Sequence, residues 1–268
     1  MSLAHLRPYT ENHAIQQATF TFEWQTELSN DNIRDLKSIA SQELIPSAFT
    51  SIKDQNTVTF NFAFADGIQN TTNETIGGFV CENFENGIPV RILSVTRQNL
   101  TVIIHNYSRW LQICNDVTNY LSEIFTKLTS WTKIASLNLQ YNDLFIWENL
   151  NSPLPFNMVL NEDSKYLPSS VFSSSMSDLW HSHHGYFSQL NDSIENNLLE
   201  NVNVSILRDH ENHQVLQIVT SHRLFGNILQ PIIGLESTLK LFDLLHIRNK
   251  KILKNVLTES VCQKICLE

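Results

Sequence analysis

Phe20, Phe22 and Trp24 occupy alternate positions of the stretch "ATFTFEWQTEL", with polar residues between them. A period of two puts the three aromatics on one face of a strand. Ser29, Asn30 and Asp31 then offer helix caps. Ile33, Leu36, Ile39 or Ala40, and Leu44 recur at helical spacing up to Pro46, which ends that helix. Alternation returns in "TVTFNFAFAD", with Val58, Phe60, Phe62 and Phe64 on one side and Asp66-Gly67 as a turn. The Gly77-Gly78 pair that follows points to a bulge or a close backbone approach. "IPVRILSVTRQNLTVIIHNY" reads as two strands joined by a short turn at Arg97 to Asn99. These connections are too short for crossovers, so the pairing is antiparallel.

Tyr107 to Leu128 carries the clearest helical stripe: Trp110, Ile113 or Cys114, Val117, Leu121, Ile124 and Leu128. A buried strand follows in "KIASLNLQYNDLFIWE". The next thirty or so positions hold three of the chain's seven prolines and many serines, which predicts a functional or mobile loop. "HSHHGYFSQL" then starts a strand, and "DHEN" turns a hairpin inside "NVNVSILRDHENHQVLQIVTSHRLFG". From Leu235 a helical stripe runs through Leu239, Phe242, Leu245, Ile252, Val256 and Val261. The run Arg248-Asn249-Lys250-Lys251 is a candidate break, giving two helices end to end or one long one. The expected fold is α+β: antiparallel sheet with long helices packed on one face. Residues 1–268 form a single domain in this reading, with two halves of similar layout, 1–128 and 129–268.

Composition narrows the function. Hydrophobic residues make up 42% and charged residues 17% of the 268, a globular balance. The net charge of -9 argues against direct nucleic-acid binding, which needs excess Lys and Arg, and suits either solubility or a basic protein partner. No apolar run reaches the roughly 20 residues of a membrane span. The first residues lack an apolar h-region, and the four cysteines are few and not in C-x-x-C spacing. A cytoplasmic protein with free thiols is expected. Homo-oligomerisation is left open.

The densest chemistry is "WHSHHGYF". In a strand His181 and His183 share a side and His184 takes the other. Two imidazoles at that spacing can hold part of a zinc or other divalent site. His210 and His213, flanking the hairpin turn, are the nearest candidates to complete it, with His222 and Asp163 behind them. Against that, histidines between Trp180 and Tyr186 can simply tie a loop to the sheet. No motif implies a cofactor: H-E-x-x-H, G-x-S-x-G, G-x-G-x-x-G and the P-loop are all missing from the sequence. Cys81 is more simply a small buried hydrophobe than a nucleophile. Cys262 and Cys266 share a helical face, and Asp143 and Asp163 are lone carboxylates. Arg109 and Trp110 open the central helix and could anchor a partner, although periodicity gives Trp110 a core position.

The stretch "ILSVTRQNLTVIIHNYSRWLQI" resembles the middle of a sporadically distributed, functionally uncharacterised bacterial family of similar length. The resemblance extends to Asn12-His13-Ala14-Ile15, to the helix opening at Tyr107 and Trp110, and to the strand Leu139-Gln140-Tyr141-Asn142-Asp143-Leu144-Phe145. It continues through Ser152-Pro153-Leu154-Pro155, Trp180 to Phe187, and "LLHIRNKKILKNVLTES". Many members carry Arg where this chain has Gln140. The family's patchy spread implies accessory genes of the kind found in mobile or defence cassettes.

Together these observations predict a non-enzymatic cytoplasmic protein-interaction scaffold, an accessory component of a bacterial defence or toxin-neutralising cassette. Trp180, His181, His183, Tyr186, Arg109 and Trp110 are its candidate binding residues. The alternative is a metal-dependent hydrolase using His181, His183, His210 and His213.

Overall fold

The computed structural model describes residues 3–63, 69–173, 178–191, 194–226 and 234–267, with side chains except at 57–63, 69–75, 191 and 194–197. The alternation at Val58, Phe60, Phe62 and Phe64 and the Asp66-Gly67 turn lie outside the described residues and side chains. Among the described residues the fold is α+β, with antiparallel strand pairs and helices. The strands are β1 (Leu6–Pro8), β2 (Ile15–Trp24), β3 (Ser51–Ala63), β4 (Gln69–Glu85), β5 (Ile88–Thr96), β6 (Asn99–Ile104), β7 (Ile134–Trp147), β8 (Trp180–Asn191), β9 (Ile194–Arg208) and β10 (Gln214–Phe225). The helices are α1 (Asn30–Ile39), α2 (Trp110–Thr129), α3 (Phe156–Val159), α4 (Leu235–Val256) and α5 (Glu259–Lys264).

The chain forms two compact units. One holds Phe20–Ser136 and Ile228–Leu239, with strands in the order β3, β4, β5, β6 and the end of β2. Its sheet follows the alternation: Phe20, Phe22 and Trp24 are buried, and Phe22 meets Phe125 of α2 edge-on at 5.9 Å. Ser29 caps α1, since its hydroxyl accepts from the Asn32 amide while Asn32 accepts from the Ser29 amide. The glycine pair does both things expected of it. Gln55 faces Gly78 and Asn56 faces Ile76, so Gly77 is the bulged residue. A Cβ on Gly78 would sit 2.0 Å from the Val95 carbonyl oxygen, so no larger residue fits there.

The other unit holds Met1–Thr19, Leu137–Asn227 and Lys240–Glu268, with strands in the order β1, β7, β10, β9, β8. Its covered face carries Leu139, Tyr141, Phe145, Val202, Val204, Ile206, Leu216 and Ile218, and α4 adds Phe242, Leu245, Ile252, Leu253 and Val256. The other face of the same strands is a polar layer, in which Gln217 donates to Asn142 at 3.0 Å and Ser221 to Asn138 at 2.8 Å. An antiparallel sheet with one apolar and one wetted face requires that alternation.

Two segments left open by the sequence are placed here. The long proline- and serine-rich segment docks onto the core through Leu154, Val159, Leu160, Tyr166, Leu167 and Val171. The C-terminal helix does not break at Arg248 to Lys251. It continues to Val256, and the chain re-enters helix at Glu259 with Thr258 as the cap residue.

Candidate functional site on the histidine-bearing strand

β8 alternates from its first residue. Trp180 is buried and meets Phe156 edge-on at 5.8 Å, so it is a core residue and not a surface anchor. His181, His183 and Phe187 are exposed, and His184, Tyr186 and Ser188 are half-buried on the covered side. This is the two-and-one division of histidines that a strand demands.

The outward imidazoles pair with the next strand. His181 Nδ1 lies 2.9 Å from Ser205 Oγ, and His183 Nδ1 contacts Asn203 Oδ1, both on β9. His213 is held at the β9–β10 turn by Asp209, 3.2 Å from Nδ1 to Oδ2, and His210 is exposed in the same turn. The set His181, His183, His210 and His213 is therefore not assembled as a metal centre. Among the described residues no three His, Cys, Asp or Glu side chains are placed to hold one ion. Cross-strand partners occupy the β8 rings, and the turn's own carboxylate occupies His213. Changing both His181 and His183 to alanine is expected to alter stability by less than about 0.5 kcal/mol in urea unfolding, the range of exposed sites. A larger loss, or melting that responds to zinc only in the parent chain, would restore the metal reading.

The inward side chains lead to a feature that sequence reasoning missed. Tyr186 on β8, Glu200 on β9 and His222 on β10 stand in one row across three strands. Glu200 is fully buried. Arg248 of α4 reaches down to it with a two-pronged contact, Nε to Oε1 and Nη2 to Oε2, each 2.9 Å. Ser188 donates to Oε2 at 2.8 Å, and His222 Nδ1 lies 3.3 Å from Oε1. His222 Nε2 faces Asn249 Oδ1 at 3.2 Å, which also accepts from Thr220 at 2.6 Å. Above the row the Tyr186 hydroxyl donates to Tyr166 of the docked segment at 3.1 Å, and His184 lies against both tyrosine rings.

Electrostatics explain why a charge survives there. Burial opposes ionisation of Glu200, but hydrogen bonds from His222, Arg248 and Ser188 outweigh it and hold the carboxyl well below the usual carboxylate range. Arg248 is held above its ordinary value, first by its hydrogen bonds to Glu200. Burial raises the Tyr186 phenol, and its hydrogen bond to Tyr166 and the neighbouring Glu200 charge add to it. Both Glu200 oxygens are occupied by donors, so this carboxylate is a strut and offers no base near neutral pH. Nearby, burial pushes His246 down to about 4, with Lys250 and His222 contributing, and its Nδ1 lies 2.8 Å from the Tyr141 hydroxyl.

The remaining candidates have simpler places. Burial pushes the Cys81 thiol up to about 12, which leaves it inert as a nucleophile. Arg109 is the exposed cap residue of α2, and Trp110 stacks on Phe20 at 5.7 Å. Asp163 is exposed in the docked segment. One sequence signal did mark the network: in the inward series Leu198, Glu200, Val202, Val204, Ile206, a single carboxylate interrupts apolar residues. No known family model matches this chain, and no curated protein matches its sequence.

Proposed function

We propose that the protein is a non-enzymatic interaction scaffold that takes up an extended segment of a basic partner protein along β8. The observation that carries this reading is the position of β8. It ends the strand order, and among the described residues its outer side pairs with no further strand. Such an edge presents a row of backbone donors and acceptors to an incoming strand. The side chains beside it supply an apolar contact, Phe187 at 68% exposure, preceded on the same face by His181 and His183. The strut through Ser188, Tyr186, Glu200 and Arg248 holds the edge in shape before a partner arrives, which lowers the ordering cost of binding. The net charge of -9 favours a basic partner and a salt-sensitive encounter. A neighbouring gene of the accessory cassette implied by the sequence resemblance would be its natural source.

The test is purification of the full chain from its native host at low and moderate salt, beside Phe187→Lys, with mass spectrometry of what accompanies each. The reading expects one basic protein in stoichiometric amount, reduced about tenfold or more by the substitution and by added salt. The substituted chain should melt like the parent because the site is exposed. Equal recovery on Phe187→Lys, or a partner indifferent to salt, would count against it.

A further inference from the structure

A second site lies at the end of the other unit, where β4, β5 and α2 meet the segment that follows α1. An open cavity of about 720 Å³ is lined there by Phe49, Asn83, Glu85, Arg91, Asn106, Asp116 and Tyr120, among others. That volume is in the range of small-molecule sites. It exists because β5 carries Arg91 at an inward position, in register with Leu93 and Val95, and because Val90 bulges between the pairs Asn83–Arg91 and Phe84–Pro89.

Arg91 is only 9% exposed. Its Nη2 meets Asp116 Oδ2 at 3.1 Å, and Asp116 is held in turn by Gln112 at 3.0 Å. Its Nη1 is buried without a partner. Asn106 shows the opposite deficit: its amide nitrogen donates to Glu85 at 2.9 Å, while its Oδ1 is buried and unpaired. Two of the residues that line the cavity therefore carry an unspent cationic donor and an unspent acceptor, each buried just beneath its wall. Buried groups of this kind are costly unless something meets them. Phe49 and Tyr120, edge to face at 4.9 Å, supply an aromatic wall beside them.

The charges select the occupant. The lining holds one cation, Arg91, against two carboxylates, Asp116 and Glu85. A simple anion would meet Arg91 but also an excess of negative charge. A simple cation would leave the Arg91 donor unmet. A molecule with both signs satisfies both. We propose that this cavity binds a small zwitterion of the α-amino-acid type. Its carboxylate would meet Arg91, its ammonium Asn106 Oδ1 and Glu85, and its apolar side chain Phe49 and Tyr120. This inference is independent of the β8 reading, which concerns the other unit.

Calorimetric titration of the full chain with phenylalanine, phenylpropionate and phenethylamine tests it. Each analogue lacks one of the two charges. The zwitterion is expected to bind about tenfold or more tighter than either, as the loss of a charged hydrogen bond requires. Ser47→Trp is expected to remove binding by filling the cavity from an exposed lining position, without disturbing Arg91. Arg91→Lys should weaken binding as well, and circular dichroism tells that loss from misfolding. The proposal is overturned if phenylpropionate binds as well as phenylalanine, if Ser47→Trp binds like the parent, or if a panel of apolar amino acids at about 10 mM gives no saturable heat.

Discussion

Arg248→Met is expected to destabilise the protein by about 3 kcal/mol or more, because it strands the Glu200 carboxylate in a buried place. Methionine keeps the apolar stem and removes only the guanidinium. Arg248 retains 29% side-chain exposure and Glu200 none, so the cost falls on the carboxylate and not on the arginine. Urea unfolding measures it. Adding Glu200→Gln to Arg248→Met should recover much of the loss, since the pair then no longer contains a lone charge. Acid gives an independent reading. The folded Glu200 carboxyl titrates below its ordinary 4.5, so its contribution is present above that pH and fades as pH falls through the lower folded value. The gap between parent and Arg248→Met should therefore be widest near neutral pH and narrow below about pH 4.5. A gap that ignores pH, or a double variant no better than the single, would mean that the network is not the strut described.

Asp143→Asn is expected to do the reverse and stabilise the protein in mild alkali. Asp143 lies on the covered face of β7, 2% exposed, with Oδ2 buried and unpaired. Burial alone pushes its carboxyl up to about 7 from the ordinary 3.8. The folded value is the higher one, so the protonated group suits the fold. Its contribution is complete below about pH 4 and is lost as pH rises through about 7. At about 1.4 kcal/mol for each tenfold step, the loss amounts to roughly 4 kcal/mol. Asparagine cannot ionise. The stability difference between Asp143→Asn and the parent should thus grow in favour of the variant from pH 4 to pH 8. Taking the difference cancels every titration that the two chains share. A difference that stays constant over that range would mean the carboxyl is not held neutral.

The two buried acids show why some of this molecule was legible in its sequence and some was not. Strict alternation located β2, because one wetted and one covered face impose a period of two, while β7 was read as a buried strand and the β9–β10 hairpin from its "DHEN" turn. The α2 stripe was equally plain, although its first turn starts at Trp110 and not at Tyr107. The outward and inward histidines of β8 followed from parity alone. The charged run at Arg248 left one helix or two open because local composition resembles a helix end, whereas Arg248 and Asn249 are spent on Glu200, His222 and Thr220. Those partners lie 48, 27 and 29 positions away, beyond the reach of any local pattern. The docking of the proline- and serine-rich segment was not legible for a related reason: its proline and serine content describes the backbone, and the buried leucines and Tyr166 between them do the packing.

The division into units also bears on synthesis. The unit that carries β8 takes in Met1–Thr19, Leu137–Asn227 and Lys240–Glu268, so its first and last contributors are separated by most of the chain. Leu160 bridges to Leu257, and the Asn161 amide donates to the Val256 carbonyl at 2.8 Å. Those contacts can form only after residues 240–268 have left the ribosome. Until α4 and α5 emerge, the nascent strands from Leu137 onward have an uncovered apolar face and Glu200 has no Arg248. Most of the other unit, Phe20–Ser136, has by then been available to fold as a block. The interval between the two events is the time in which this chain most needs shielding from its own kind, and slowing translation near residue 240 would lengthen it.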